Sequence, residues 1–279
     1  MISESHRLDQ KWLAPKEAWE ALFVAPAGLD IPDLRRRITA SLHGITLDVN
    51  IVPGEIGTRR KKLLIADMDS TIINQECIDE IADLVGIKPK IAAITERAMR
   101  GELKFEDALN ERLGLLVSLT EKQLAEVYDT RITLMAGAAT LVATMRKFGA
   151  YASLVSGGFT FFTSKVGAKV GFDSDHANTL GMHDGRMTGK VEGPILGREA
   201  KLAFLQDYTT KRGLTAIQTM AIGDGANDLA MIRAAGLGVA YRAKPVVAAE
   251  AQASITHGDL TALLYLQGYK REEFVEAKA

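Results

Sequence analysis

The chain has 279 residues, 47% of them hydrophobic, enough to bury one large core with an appendage or two modest cores. Lys and Arg total 34 against 35 Asp and Glu, a formal net charge of -1 that excludes whole-chain electrostatic recruitment to nucleic acid or to an anionic membrane. Cys77 is the single cysteine, which excludes an internal disulfide and fits a reducing compartment, the cytoplasm.

From the amino terminus, the first eleven residues lack the apolar centre of a signal peptide, and the longest apolar stretch, residues 134–145, is too short and too rich in Ala and Gly to span a bilayer. Residues 1–61 read as a small α+β segment. Within it, 18–25 and 45–52 are strand-compatible, and 33–42 is a helix with Arg35, Arg36 and Arg37 toward solvent. Thr58-Arg-Arg-Lys-Lys62 reads as a solvated charged linker rather than a binding patch.

Beyond it the pattern becomes strand, loop, helix. Apolar runs at 63–66, 151–155, 219–222 and 237–240 alternate with helical segments, which predicts a parallel sheet covered by helices and buried on both faces. Between the first two runs, 76–131 reads as a helical cap inserted into a core made of 62–75 and 132–279. Ile78, Ile81, Ala82 and Val85 follow helical spacing, as do Leu109, Leu113 and Leu116, with breaks at Gly86, Gly101 and Thr120. Asp184-Gly185, between alternating residues over 177–191, predicts a hairpin, and the chain from Lys270 onward is expected to fray.

The chemistry concentrates after two of the apolar runs. Asp67 and Asp69 follow the first, and Gly223-Asp-Gly-Ala-Asn-Asp228 follows a later one; loops at the carboxyl ends of parallel strands converge on one crevice. Carboxylates gathered there call for a cation, and an all-oxygen set suits Mg²⁺ better than Zn²⁺. Asp67 is a candidate nucleophile for an aspartyl-phosphate intermediate, with an ion shared between Asp67 and Asp224, and Asp69 a candidate general acid and base. A turn or helix N-cap is the plain alternative for Asp67 and Asp69, and helix capping for Asp224 and Asp228. An EF-hand counted from Asp67 fails, because Ile72 stands where Gly is required and Ile78 where Glu is required. The glycine-rich loop is no dinucleotide fingerprint, since Asp228 takes the third glycine position.

Ser156-Gly157-Gly158 offers a hydroxyl and unhindered N–H groups for phosphate oxygens, or is a plain strand-to-helix turn. Lys201 is by default an exposed helical lysine. Glu76 and Arg112 share that default, yet together they could grip the ammonium and the carboxylate of an amino acid. Met99 and Phe105 read as helix-packing residues, and His43, His176, His183 and His257 as structural or exposed.

Taken in order, Asp67-Met-Asp-Ser-Thr71, Ser156-Gly-Gly, Lys201 and Gly223 through Asp228 resemble the four motifs of the haloacid dehalogenase superfamily. Within it, residues 67–76 and Phe105-Glu-Asp-Ala-Leu-Asn-Glu-Arg112 resemble the phosphoserine phosphatase family, over about 61–268. The resemblance implies a Rossmann-like core, a small helical cap, and Mg²⁺-dependent hydrolysis of the small molecule O-phosphoserine, the last step of serine biosynthesis. It implies Asp67 as nucleophile and metal ligand, Asp69 as acid/base and a ligand through its backbone carbonyl, and Asp224 as the remaining protein ligand. Ser156, Gly157, Lys201 and Asn227 would hold the phosphoryl group, Asp228 would support the metal, and Glu76 and Arg112 would bind the substrate's amino and carboxylate groups. The same intermediate would also serve a phosphotransferase using another alcohol such as homoserine; a non-catalytic phospho-ligand sensor is a third reading. The leading segment is shorter than the amino-acid-sensing domains some members carry, so regulation by serine is not expected from it.

Overall fold

The computed structural model describes residues 7–100 and 102–277. The helix break at Gly101, the packing of the Met99 side chain, and the readings that touch residues 1–6 and 278–279 lie outside the described residues. β1 (Arg7–Ala14) and β2 (Ala18–Phe23) form a two-stranded antiparallel sheet with Trp12 opposite Trp19. Helix α1 (Ile31–Ser41) begins two residues earlier than its periodicity predicts. The Asp30 carboxylate accepts the Asp33 N–H, and Pro32 sits in the first turn, where its missing donor costs nothing.

Residues 45–52 form no strand, which corrects the sequence expectation. They dock through side chains instead. Asn50 and the backbone of Ser254 exchange two hydrogen bonds at 3.0 and 2.8 Å, and Asp48 accepts the N–H groups of Thr256, His257 and Gly258. Nor are residues 58–62 a solvated linker. The short helix α2 (Ile56–Arg59) leads into them, and Arg59 pairs with Glu20. Arg60 bonds Glu273 at 2.7 Å and lies 4.0 Å from the centroid of the Tyr269 ring, while Lys61 is buried with its Nζ donating to the Thr58 and Ile217 carbonyls at 2.8 Å. Long basic side chains bury their stems wherever acceptors meet their heads, a property that charge counting misses.

β3 (Leu63–Ala66) is followed by four helices: α3 (Cys77–Leu84), α4 (Lys88–Met99), α5 (Phe105–Gly114) and α6 (Glu121–Arg131). Then come α7 (Ala138–Lys147), β4 (Tyr151–Phe159), α8 (Thr160–Val170), β5 (Ser174–His183) and β6 (Arg186–Glu192). The chain closes with α9 (Arg198–Lys211), β7 (Thr219–Gly223), α10 (Leu229–Ala234), β8 (Leu237–Tyr241), α11 (Pro245–Glu250), β9 (Ala253–Ile255) and α12 (Ala262–Leu266). β3 is the middle of a seven-stranded sheet in the order β6-β5-β4-β3-β7-β8-β9. Only the β5–β6 pair is antiparallel within it.

Alternation along β3 divides the core between two layers. Leu63 and Ile65 pack with Leu205 of α9 and Met231 of α10, whereas Leu64 and Ala66 face Leu141 of α7, Phe162 of α8 and Leu263 of α12. The hairpin expected at Asp184-Gly185 is present, with φ of 49° and 71° at the two turn residues, the pair of positive values that a tight two-residue turn needs. It also reaches the helices after β3: Ser118 N–H donates to the Met187 carbonyl at 2.9 Å, and Met187 N–H returns a bond to Leu119 at 2.8 Å. β9 was not anticipated, because three residues carry too little periodicity to register. No helix among the described residues is long and apolar enough to cross a membrane.

The segment from Lys270, expected to fray, is anchored through the described residues. A 3₁₀ turn spans Arg271–Glu273, Phe274 is 8% exposed, and Val275 N–H donates to Thr144 Oγ1 at 2.8 Å. Phe274→Ala should therefore lower stability by about 3 kcal/mol, read as a lower urea midpoint at unchanged m-value. An unshifted midpoint would show that this tail does not hold the core.

Candidate active site

Strand register puts three loops at one level. Ala66 pairs with Leu154 on one side and Ile222 on the other, so the residues just beyond, Asp67 to Asp69, Ser156 and Asp224, leave the sheet side by side. Asp67 still donates its N–H to the Ile222 carbonyl at 3.0 Å, which aims its side chain from a fixed backbone. Its Oδ1 accepts the Met68 N–H at 2.8 Å and the Lys201 ammonium at 2.6 Å.

Lys201, near the start of α9, is 2% exposed and not a surface lysine. Its Nζ stands 2.6 Å from both Asp67 Oδ1 and Asp228 Oδ1. Asp228 is fully buried, and its Oδ2 accepts the Gly225 N–H at 3.0 Å. Glycine is required nearby, because a Cβ on Gly223 would stand 2.3 Å from Asp228 Cγ. Carboxylate oxygens of Asp67, Asp224 and Asp228 lie within 4.8 Å of one another. Asn227, on the same loop, is exposed.

The Asp69 side chain turns away from that trio. Its Oδ1 accepts the Cys77 N–H at the start of α3 at 3.1 Å, and its Oδ2 accepts the Ser156 hydroxyl at 3.4 Å. Ser156-Gly157-Gly158 falls where the β4–β5 ladder is interrupted: pairing stops at Val155–His176 and resumes at Phe159–Asn178. The extra residues on β4 bulge into the crevice, and Gly158 N–H donates to Ser156 Oγ at 2.9 Å. Asn178, which the sequence reading missed, pins the bulge from below. Its Nδ2 donates to the Gly157 carbonyl at 2.9 Å and its Oδ1 accepts the Leu196 N–H at 2.7 Å. No periodicity or motif could single out that asparagine.

Charge is in excess here. Burial, and next the charge of Asp228, push the Asp67 carboxyl well above the ordinary carboxylate range despite Lys201. Burial likewise raises Asp69, and burial with Asp228 lifts Asp224 to about 6. Burial alone would lower Lys201, but the attraction of Asp228 and Asp67 outweighs it and the ammonium is held more firmly than usual.

Two further groups approach from the helices after β3. Glu76, immediately before α3, has its Oε1 bonded by the Ser70 hydroxyl at 2.6 Å. Arg112 of α5 donates Nε to the Ala108 carbonyl at 3.2 Å and Nη1 to Thr95 Oγ1 at 3.4 Å. Neither joins an ion pair among the described residues, although burial lowers the Arg112 pKa and the charges of Asp79 and Glu76 oppose that. Phe105 does more than pack its own helix: a Cβ on Gly157 or Gly197 would stand 3.5 Å from its ring, so it bridges α5 to the Ser156 loop. Among the histidines, His176 bonds the Tyr208 hydroxyl at 2.8 Å and stacks on Phe204, while His43, His183 and His257 are exposed.

A family model described as haloacid dehalogenase-like hydrolase matches residues 64–233, the stretch from β3 through β7 with both acidic loops, and the chain belongs to that family. A phosphoserine phosphatase from Polaromonas sp. is 44% identical over 79% of this chain and 95% of its own. A HAD family hydrolase from Salmonella enterica serovar Typhi superposes with a TM-score of 0.83 at 32% identity, covering 93% of this chain and 89% of that one. A phosphoserine phosphatase solved as a phospho-aspartyl intermediate analogue gives 0.68 at 38% identity over 74% of this chain and 98% of its own.

Burial, then the charge of Asp69, raises Glu76 from 4.5 to about 7. The native state thus holds a proton there that the unfolded chain releases, and this contribution to stability, complete below about pH 4.5, is lost as pH rises through about 7. The side chain keeps an exposed face, so solvent screening trims the size. In EDTA, Glu76→Gln should gain melting temperature relative to the wild type between pH 5 and pH 7.5, on the order of a few degrees. A pH-independent difference would contradict the shift.

Proposed function

We propose that the protein is a phosphoserine phosphatase that hydrolyses O-phosphoserine to serine and phosphate through an aspartyl-phosphate on Asp67. The observation that carries this reading is a buried carboxylate–ammonium centre beside two groups of opposite charge, Glu76 and Arg112, which have no ion-pair partner among the described residues and match a phosphate ester of an amino acid. In this reading residues 76–131 are the cap, 62–75 and 132–279 the catalytic core, and 1–61 a small amino-terminal segment.

The donor set suits a hard divalent ion, because the clustered ligands are all carboxylate oxygens with no His or Cys among them. Asp67, Asp224 and the backbone carbonyl of Asp69 would hold Mg²⁺, with Asp228 in support; the Asp69 side chain is committed elsewhere. Mg²⁺, when bound, neutralises charge on the transferring group. Lys201, Ser156, Gly157 and Asn227 orient the phosphoryl oxygens.

Asp67 attacks phosphorus, forming the acyl-phosphate bond as the bond to the serine oxygen breaks. Asp69, whose carboxyl burial shifts toward the protonated form, donates a proton to that departing oxygen. In the second half Asp69 takes a proton from water as the water oxygen bonds phosphorus, the acyl-phosphate bond breaks and phosphate leaves. A cytoplasmic setting fits the lone, buried Cys77.

Asp67→Asn should cut phosphate release from O-phosphoserine by about a thousandfold or more while circular dichroism is preserved. Near-normal turnover would rule out covalent catalysis at this residue. Arg112→Ala should lower kcat/KM for O-phosphoserine by roughly 10–100-fold, and far less for phosphoethanolamine, which has no carboxylate; equal losses on both would remove its assigned role.

A further inference from the structure

Ser70 lies between the two halves of the site and has no part in the phosphoryl chemistry. Its backbone is in the left-handed region, φ 55°, where glycine sits freely and other L residues are strained. The turn it makes is tight: the Met68 carbonyl accepts the N–H groups of Thr71, Ile72 and Ile73 at 3.2, 2.8 and 3.0 Å, and Ser70 N–H donates to the Gln75 carbonyl at 3.2 Å. Ile72 and Ile73 are fully buried, so the loop is held as a rigid unit. Glycine would hold the same turn with less strain; what serine adds is a hydroxyl.

That hydroxyl has one target, Glu76 Oε1 at 2.6 Å. Glu76 stands in the N-cap position of α3, yet its carboxylate caps nothing there, and no cation pairs with it among the described residues. Its orientation is therefore set by Ser70, which occupies one oxygen and leaves the other open. We infer that Ser70 is a positioning residue for substrate selection: by fixing the Glu76 carboxylate it tunes capture of the substrate's ammonium group, and the loop that carries Asp67 and Asp69 is thereby tied to the recognition of the amino acid. This rests on the reading of Glu76 as the ammonium partner.

The test compares the full-length enzyme, with Mg²⁺, on O-phosphoserine and on p-nitrophenyl phosphate, which has no ammonium. Ser70→Gly relieves the backbone and removes only the hydroxyl. It should lower the ratio of kcat/KM values for the two substrates by about tenfold, the scale of one hydrogen bond to a charged group, through a raised KM for O-phosphoserine with kcat changed by less than about twofold. Ser70→Ala, which keeps the strained Cβ, should show the same drop at whatever melting temperature it has. If Ser70→Gly leaves the ratio within about twofold of wild type while Glu76→Gln lowers it, or if both substrates lose equally, Ser70 only shapes the turn and the inference is wrong. If neither Ser70→Gly nor Glu76→Gln moves the ratio, the ammonium-binding reading of Glu76 falls and this inference with it.

Discussion

Three carboxylates and one ammonium crowd one crevice, Asp67, Asp228 and Lys201 buried and Asp224 half-buried, and the rest of the site is arranged around that imbalance. Like charges at such separations in a dry environment repel strongly, and one lysine cannot neutralise them. Burial first, and then the charge of Asp228, displaces Asp67 and Asp224 toward protonation. A divalent cation would by itself cancel the two negative charges that three carboxylates and one ammonium leave over.

Holding such a cluster requires a scaffold that cannot relax. β3 supplies it by sitting at the centre of the sheet, hydrogen-bonded on both sides and covered on both faces. Its last residue, Ala66, pairs with Leu154 and Ile222, just short of Ser156 and Asp224, so side chains distant in sequence meet without any loop having to reach. Lys201 comes from a helix on one face and is pinned by two carboxylates, which explains how an ammonium tolerates almost complete burial. Gly223, where a Cβ would stand 2.3 Å from Asp228 Cγ, lets the chain turn tightly enough to present Asp224 and Asp228 together.

The helices after β3 divide the labour differently. Glu76 and Arg112 bring one charge of each sign, and Phe105 closes over the Ser156 bulge. Backbone bonds between the β5–β6 hairpin and the α5–α6 connection tie those helices to the sheet at a second place, away from their covalent junctions. Glu76 and Arg112 are consequently referenced to the same frame as Asp67 and Asp69, which is what discrimination between phosphate esters would require of the proposed reaction.

Much of this was legible from residue order. Apolar runs ending in acidic loops announced a parallel sheet with a carboxylate cluster at its carboxyl edge, and the Asp184-Gly185 turn and the helices between the first two core strands followed from local periodicity, because both signals depend only on near neighbours in the chain. What stayed hidden depended on contacts between distant residues. The extended segment 45–52 lacks a ladder because Asp48 and Asn50 dock it by side chain; Lys61 is buried because carbonyls from elsewhere accept its protons; Phe274 is held because a threonine over a hundred residues away receives the next N–H. The burial of Lys201 and the pinning of the bulge by Asn178 belong to the same group. Sequence by itself determined which chemical groups this protein owns and the strands that carry them. Only the tertiary structure decided which of them share one dry volume, since electrostatic energy depends on separation in space and on exclusion of water, and neither is encoded by position along the chain.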